Sequence, residues 1–465
     1  MRLWASIAIA AALLATSPAV AAAPSPAQAA YDAAVARYGP TDDRALMAEI
    51  NLATWLASRD DYKAAAVHLE HFRDVMIARD GPNSPEGLMV IGALAPAKAY
   101  AGDKEGALKS ASEAYRLAAP RGPDDPVVIV VRGGYGVALS MAGQYEEAVP
   151  HLTAAYQGMI KLMGPTAVPT RQTGDLLVEA SQGAGLMSDA LTIRRQIAAP
   201  PGPRADKAEE LLSAGFQLSL LIEEHRYPEA RDLGETLMPR FNADYGPDHS
   251  RTLRAKGELA TAYDNLEILD KAMALRREVY DSFVRLRGPD DLLAFSQGEL
   301  LATTGFKSAD PAERARSMAL MRDIMLRRSV VQGDTAPAVL LNMLMLAQMS
   351  LSAAETGGTT QEGRLAYRQA FEDLRSADER LRADPVLARS RTALMVNMLL
   401  GLQDINEERG EAAYERLKFS GQVARERSLD RRVAGNQTAA LAEIVQYRQV
   451  FLGQVRAGWL WAHQP

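Results

Sequence analysis

Residues 122–165 read GPDDPVVIVVRGGYGVALSMAGQYEEAVPHLTAAYQGMIKLMGP, an apolar run, a break at Gly143 and a second amphipathic run set between two Gly-Pro pairs. Gly-Pro recurs along the chain at Gly39, Gly81, Gly122, Gly164, Gly202, Gly246 and Gly288, at spacings of 42, 41, 42, 38, 44 and 42 residues. A period so regular means one structural unit copied end to end. A unit this short cannot bury its own apolar face and must stack on its neighbours.

Within each unit a second landmark keeps register: Ala65, Ala107, Ala148, Ala190, Ala230 and Ala272. Five residues before these alanines stand Gly102, Gly143 and Gly185, replaced elsewhere by Asp60, His225 and Glu267; thirteen before stand Leu52, Leu94, Tyr135, Leu177, Gln217 and Leu259. The leucine-type residue belongs on the inner side of a first helix, the glycine lets the chain turn, and the alanine admits close approach where a second helix crosses the first. Gly-Pro then ends the second helix, since Gly takes the left-handed conformation and Pro cannot continue the helix. Ser84-Pro85, Asp125-Pro126, Asp42, Asp291 and the stretch Asp248-His249-Ser250 supply N-caps for the next first helix. The unit is a helical hairpin.

Leu94-Ala95 through Gly102 to Ala107, Gly143-Gln144-Tyr145-Glu146-Glu147-Ala148 and Tyr245-Gly246-Pro247-Asp248-His249 resemble tetratricopeptide repeats of the kinesin-light-chain type, whose period is longer than the usual 34 residues. The resemblance implies an all-α fold, a right-handed α-solenoid of stacked hairpins over residues 24–300, whose first helices line a concave surface. Departures fall at Ala199-Pro200-Pro201-Gly202-Pro203, where the repeat shortens, and at Gln217, where the leucine is lost. Residues 301–465 read as degenerate helical repeats: Gly305 with Ala315 as a stretched seventh repeat, a break at Gly357-Gly358-Thr359-Thr360, Gly410 with Ala412-Ala413 as a further hairpin, and a capping helix near Gln437 to Gln454. Phe419 to Arg427 and Ala439 to Gln449 also resemble the helical stretch that joins such repeats to a CHAT peptidase domain in exported proteins. That second resemblance implies an adaptor for a separately encoded peptidase or signalling system.

Arg2, the short apolar run Ile7 to Leu14 and the small residues Ala19 to Ala23 read as a signal peptide over residues 1–23, which predicts a periplasmic or secreted protein. No later stretch approaches the roughly 18 uninterrupted apolar residues of a membrane span, so no transmembrane span is expected in the mature chain. The absence of cysteine removes disulfides, thiolate metal sites and cysteine nucleophiles together. A net charge of −6 offers no basic field for a phosphate backbone, and no nucleic-acid partner is expected.

Chemistry finds little foothold. His68 and His71 could face one ligand across a helix, but zinc needs a third, and they read as histidines of the outer face. Met318, Met321, Met325, Met343, Met345 and Met349 suit copper by their softness and a core by their helical spacing, and read as core filler. Gly133-Gly134-Tyr135-Gly136 lacks the Lys-Ser or Lys-Thr of a phosphate loop and reads as close helix packing. No catalytic, cofactor or metal residue is expected, a metal-dependent hydrolase standing only as the outlying alternative. Counting 18, 15, 11, 8 and 7 residues back from each ladder alanine gives an inner surface that begins small and apolar and turns polar and acidic. On it Tyr100, Met141, Asp175, Glu179, Gln182, Glu223, Arg254 and Asn265 are the expected partner-binding residues. The expected function is a non-enzymatic interaction scaffold of the cell envelope, taking a protein or peptide segment with apolar anchors toward Tyr100 and Met141 and basic side chains toward Glu179.

Overall fold

The computed structural model describes residues 26–57, 61–200, 207–357, 361–383, 387–433, 445 and 447–463. The expected signal peptide, Gly202, Asp60 and most of the segment Ala439 to Gln449 lie outside these residues. Among the described residues there are twenty α-helices and no strand. None of those helices is long and apolar enough to cross a membrane.

The chain forms two compact units, Met1–Leu266 and Glu267–Pro465. In the first unit α1 (Pro26–Tyr38) precedes five hairpins: α2 (Asp43–Ala57) with α3 (Tyr62–Asp80), α4 (Pro85–Tyr100) with α5 (Lys104–Ala118), α6 (Pro126–Met141) with α7 (Tyr145–Met163), α8 (Val168–Gly183) with α9 (Met187–Ile197), and α10 (Lys207–Glu223) with α11 (Tyr227–Asp244). α12 (Ser250–Asn265) closes that unit. The second unit holds α13 (Leu269–Arg287), α14 (Leu292–Phe306), α15 (Pro311–Gln332), α16 (Pro337–Gly357), α17 (Gln361–Arg382), α18 (Arg391–Asn406), α19 (Gly410–Val433) and α20 (Arg448–Ala462). The division between units falls in the turn before the last ladder alanine, ahead of the place where the sequence period decays.

The ladder has the packing role its spacing implies. All six alanines are at most 1% exposed, and Ala413 repeats the pattern in α19. Gly39, Gly81, Gly122, Gly164, Gly246 and Gly288 all have positive φ, as does Gly333 after α15. The hairpin turns also have positive φ, at Gly102, Gly143 and Gly185 and at the non-glycine replacements His225 (φ 60°) and Glu267 (φ 59°). Of the expected caps, Asp42, Ser84, Asp125 and Asp291 each accept a backbone N–H in the first turn they precede, and Asp61 and Asp103 do the same for second helices. At the sixth start the cap is His249, whose Nδ1 accepts from Arg251 N at 3.1 Å.

Three expectations need correction. Ala315 is exposed; α15 starts from the Asp310 cap, and the small residue buried against Gly305 is Ser317. The last described helix, Arg448–Ala462, runs on past Gln454, the expected end of the capping segment; residues 437–444 of that segment lie outside the described residues. His68 and His71 do not stand alone on an outer face. Their Nδ1 atoms lie 3.2 and 2.8 Å from the carboxylate of Glu49 on α2, which is 1% exposed. The Tyr31 hydroxyl from α1 donates to the same carboxylate at 3.2 Å, and burial together with the Glu49 charge pushes that phenol up to about 12. A buried carboxylate draws donors from every element around it. Of the methionines, Met321, Met343 and Met349 are buried among aliphatic neighbours, as core filler should be.

Candidate binding groove

One close approach shapes the inner face of the first unit. Pro96 lies inside α4 and has no N–H to give the carbonyl of Gly92, one turn earlier. That carbonyl faces Gly134 of α6, where an added β-carbon would stand 2.0 Å from the oxygen. The crossing of α4 and α6 therefore depends on bare backbone at both positions. Gly133, one residue before, points elsewhere: a β-carbon there would meet only Ala155 Cβ, at 3.5 Å.

The space left open is a cavity of about 360 Å³. Gly92, Pro96, Gly133, Val137, Gly215 and Phe216 form its apolar wall, and Asp175, Glu179, Ser219, Arg254 and Glu258 its polar end. Tyr62 and Tyr100, stacked with centroids 4.8 Å apart, stand at the apolar end. Gly92, Pro96, Gly133, Val137, Asp175 and Arg254 come from positions 18, 15 or 11 before the ladder alanines, where the sequence count places the inner surface, whereas Phe216 and Glu258 stand 14 before and fall outside that count. Of the eight expected contact residues, Tyr100, Asp175, Glu179 and Arg254 reach the cavity. Met141 packs against the core around Val137 and Leu139, Gln182 donates to Glu223 at 3.1 Å, and Asn265 is exposed with its amide donating to Thr261 O at 2.9 Å.

The polar end is an ionic network. Arg254 of α12 reaches back to Asp175 of α8 with two hydrogen bonds of 2.5 and 3.0 Å, and its Nε lies 3.3 Å from Glu258. Arg194 of α9, whose side chain is 2% exposed, donates to Asp175 and, at 3.0 Å, to Glu223. Burial opposes ionisation of Asp175, but the charges of Arg254 and Arg194 overcome it and hold its carboxyl below the usual range. Glu258 is raised by burial, against the pull of Arg254 and a hydrogen bond from Ser219. Asp175 and Glu223 are thus neutralised from within the fold. Glu179 is left over: half exposed, 3.8 Å from the Arg254 guanidinium and raised to about 6 by desolvation and the neighbouring Asp175 charge. Gln172 lines the same cavity with a buried Oε1 that accepts no hydrogen bond.

Arg194 is the residue that counting along first helices misses, because it rises from a second helix. A signal was nonetheless there. Four residues after the ladder alanine the earlier units carry Leu69, Ala111 and Leu152, all fully buried, and the fourth carries Arg194. Nineteen before it they carry Leu46, Leu88 and Ile129, and the fourth carries Arg171. Arg171 is also buried, and bonds Ser213 Oγ at 2.8 Å and Ile197 O at 3.0 Å. Charge at both registers sets the fourth unit apart, since the sixth repeats it only at buried Arg276 and keeps Leu253 nineteen before its alanine.

No family model matches the sequence, and no curated protein matches it. Solved structures resemble the fold. The chain is 19% identical to a Podosopora anserina putative kinesin light chain of nearly identical TPR-like repeats, over 44% of this chain and 98% of that one, with a TM-score of 0.35. It is 14% identical to BtubC (BKLC) from P. vanneervenii, over 51% and 91%, with a TM-score of 0.38. It is 13% identical to the human IFIT1 dimer with m7Gppp-AAAA, over 90% and 84%, with a TM-score of 0.48. The likeness to them is one of fold alone.

Proposed function

We propose that the protein is a non-enzymatic interaction scaffold whose first unit takes a protein or peptide segment in the groove. Apolar side chains of that segment rest on the Gly92–Pro96 and Gly133–Val137 wall, and a cationic group meets Glu179. The observation that carries this reading is the gradient along one cavity, from small apolar residues to a carboxylate whose neighbours are already paired with one another. Gln172 Oε1 adds a buried acceptor ready for a donor from the guest. The apolar run Ile7 to Leu14, with the small residues after it, supports export to the periplasm or beyond, which fractionation of cells producing a tagged chain tests.

The groove is tested with peptides selected from a random display library on the native chain. Gly133→Leu fills the wall without a backbone clash, and should lower their affinity at least about tenfold. Glu179→Gln should weaken the peptides that carry Lys or Arg and spare the neutral ones. Selected peptides that bind both variants as tightly as the native chain would remove the groove from consideration.

A further inference from the structure

The outermost described helix of a stacked array ordinarily turns a polar face to water, because nothing stacks on it. α20 does not. Its inner face is conventional: Tyr447, Val450 and Ala457 are buried against Leu394, Val423, Ala413 and Leu417 of α18 and α19. Its outer face carries Leu452 (50% exposed), Val455 (73%) and Trp459 (64%). Spaced three and four residues apart, the three side chains fall in one row, and exposed Arg448 extends it by the same spacing. Exposed Arg456 flanks the row.

We propose that this face of α20 lies on an anionic bilayer surface. Charge complementarity selects that occupant: from Ile444 to Pro465 the chain has Arg448 and Arg456 and no Asp or Glu. A basic helix with Trp, Leu and Val along one side has the composition of one that lies in the headgroup region, its arginine stems along the apolar surface and their heads at the lipid phosphates. Tryptophan suits that depth, with an apolar ring and an N–H to hydrate, and α20 carries two of the four tryptophans in the chain. A second copy on the same face would bring four guanidinium groups to one seam with no carboxylate from either helix. The helix would lie on the membrane; it is too short and too mixed to span it. The proposal is independent of the groove, which belongs to the other unit.

Because the chain has no cysteine, Val455→Cys gives a unique attachment point for an environment-sensitive fluorophore, and Val67→Cys, similarly exposed on α3, gives the control. With the full chain and vesicles of phosphatidylcholine and phosphatidylglycerol, emission from position 455 should shift to the blue and rise. Emission from position 67 should not change. Neutral vesicles or high salt should suppress the response. Combining Val455→Cys with Arg448→Gln and Arg456→Gln should raise the lipid concentration for half-maximal response roughly thirtyfold, at about 1 kcal/mol per arginine. The proposal is overturned by an unresponsive probe at 455 or an equal response to neutral vesicles. A 455 signal that instead tracks protein concentration without lipid, with a doubled mass in light scattering, would overturn it in favour of self-association.

Discussion

Gly134 faces Gly92 across the crossing of α4 and α6 so closely that a β-carbon on Gly134 would stand 2.0 Å from the Gly92 carbonyl oxygen. Backbone cannot yield there as the end of a flexible side chain would. Gly134→Ala should destabilise the first unit by about 2–3 kcal/mol despite its better helix propensity. Gly257→Ala makes the contrast. That residue lies inside α12 with no heavy atom within 4 Å of the place a methyl group would take, and alanine should stabilise by about 0.5–1 kcal/mol. Urea unfolding of both variants checks the pair; equal shifts would refute the crossing.

Asp175 is the common acceptor of Arg194 and Arg254. Asp175→Asn keeps the shape but leaves the buried Arg194 guanidinium with Glu223 as its remaining carboxylate. A loss of roughly 2–3 kcal/mol is expected, because a charge stripped of a partner in the interior costs more than the pair contributes. Adding Arg254→Met to Asp175→Asn should cost less than the sum of the two single changes, which a double-mutant cycle measures.

Glu179 titrates near 6, within the physiological window. Its folded pKa is raised, so its contribution to stability is present at low pH and lost as pH rises through about 6. Asp175 behaves oppositely: its folded pKa is depressed, and its contribution is lost as pH falls through that lowered value. Binding of a basic segment should therefore weaken between pH 7.5 and 5 as Glu179 takes up its proton. Glu179→Gln should remove that pH dependence, as anisotropy of a labelled peptide would reveal.

Glu267 and Glu408 occupy left-handed turns with φ of 59° and 57°. The conformation costs an L-residue about 1 kcal/mol, which glycine avoids at some expense in unfolded-state entropy. Glu267→Gly and Glu408→Gly should each raise stability by a few tenths to about 1 kcal/mol, and alanine at the same sites should not. Melting temperatures of the four variants check this.

Much of the fold could be read from spacing alone. The ladder alanines, the caps and the paired turn positions all repeat, and even His225 and Glu267 take a positive φ like the glycines they replace. The cavity wall was legible for the same reason, since residues at fixed distances from the ladder face one way. Periodicity describes an average module, however, and the ionic network depends on individual long side chains. Arg194 reaches Asp175 from a helix that contributes nothing else to the polar end, and Arg254 does so from two modules away. Glu49 gathers His68, His71 and Tyr31 from two neighbouring helices because one buried carboxylate must be satisfied, a demand no repeat pattern announces. Ala315 misled because the stretched seventh module restarts from Asp310 and brings Ser317, not alanine, into contact.

Arrays of this kind ordinarily peel from their ends, each module holding only the next. The bond between Arg254 and Asp175 ties α12 to α8 over a separation of 79 residues, past the intervening hairpin. Amides of α8, α10 and α12 should in consequence exchange with deuterium as one cooperative block, while those of α2 and α3 exchange earlier and separately. The clasp turns the later hairpins of the first unit into a piece that opens all at once or not at all.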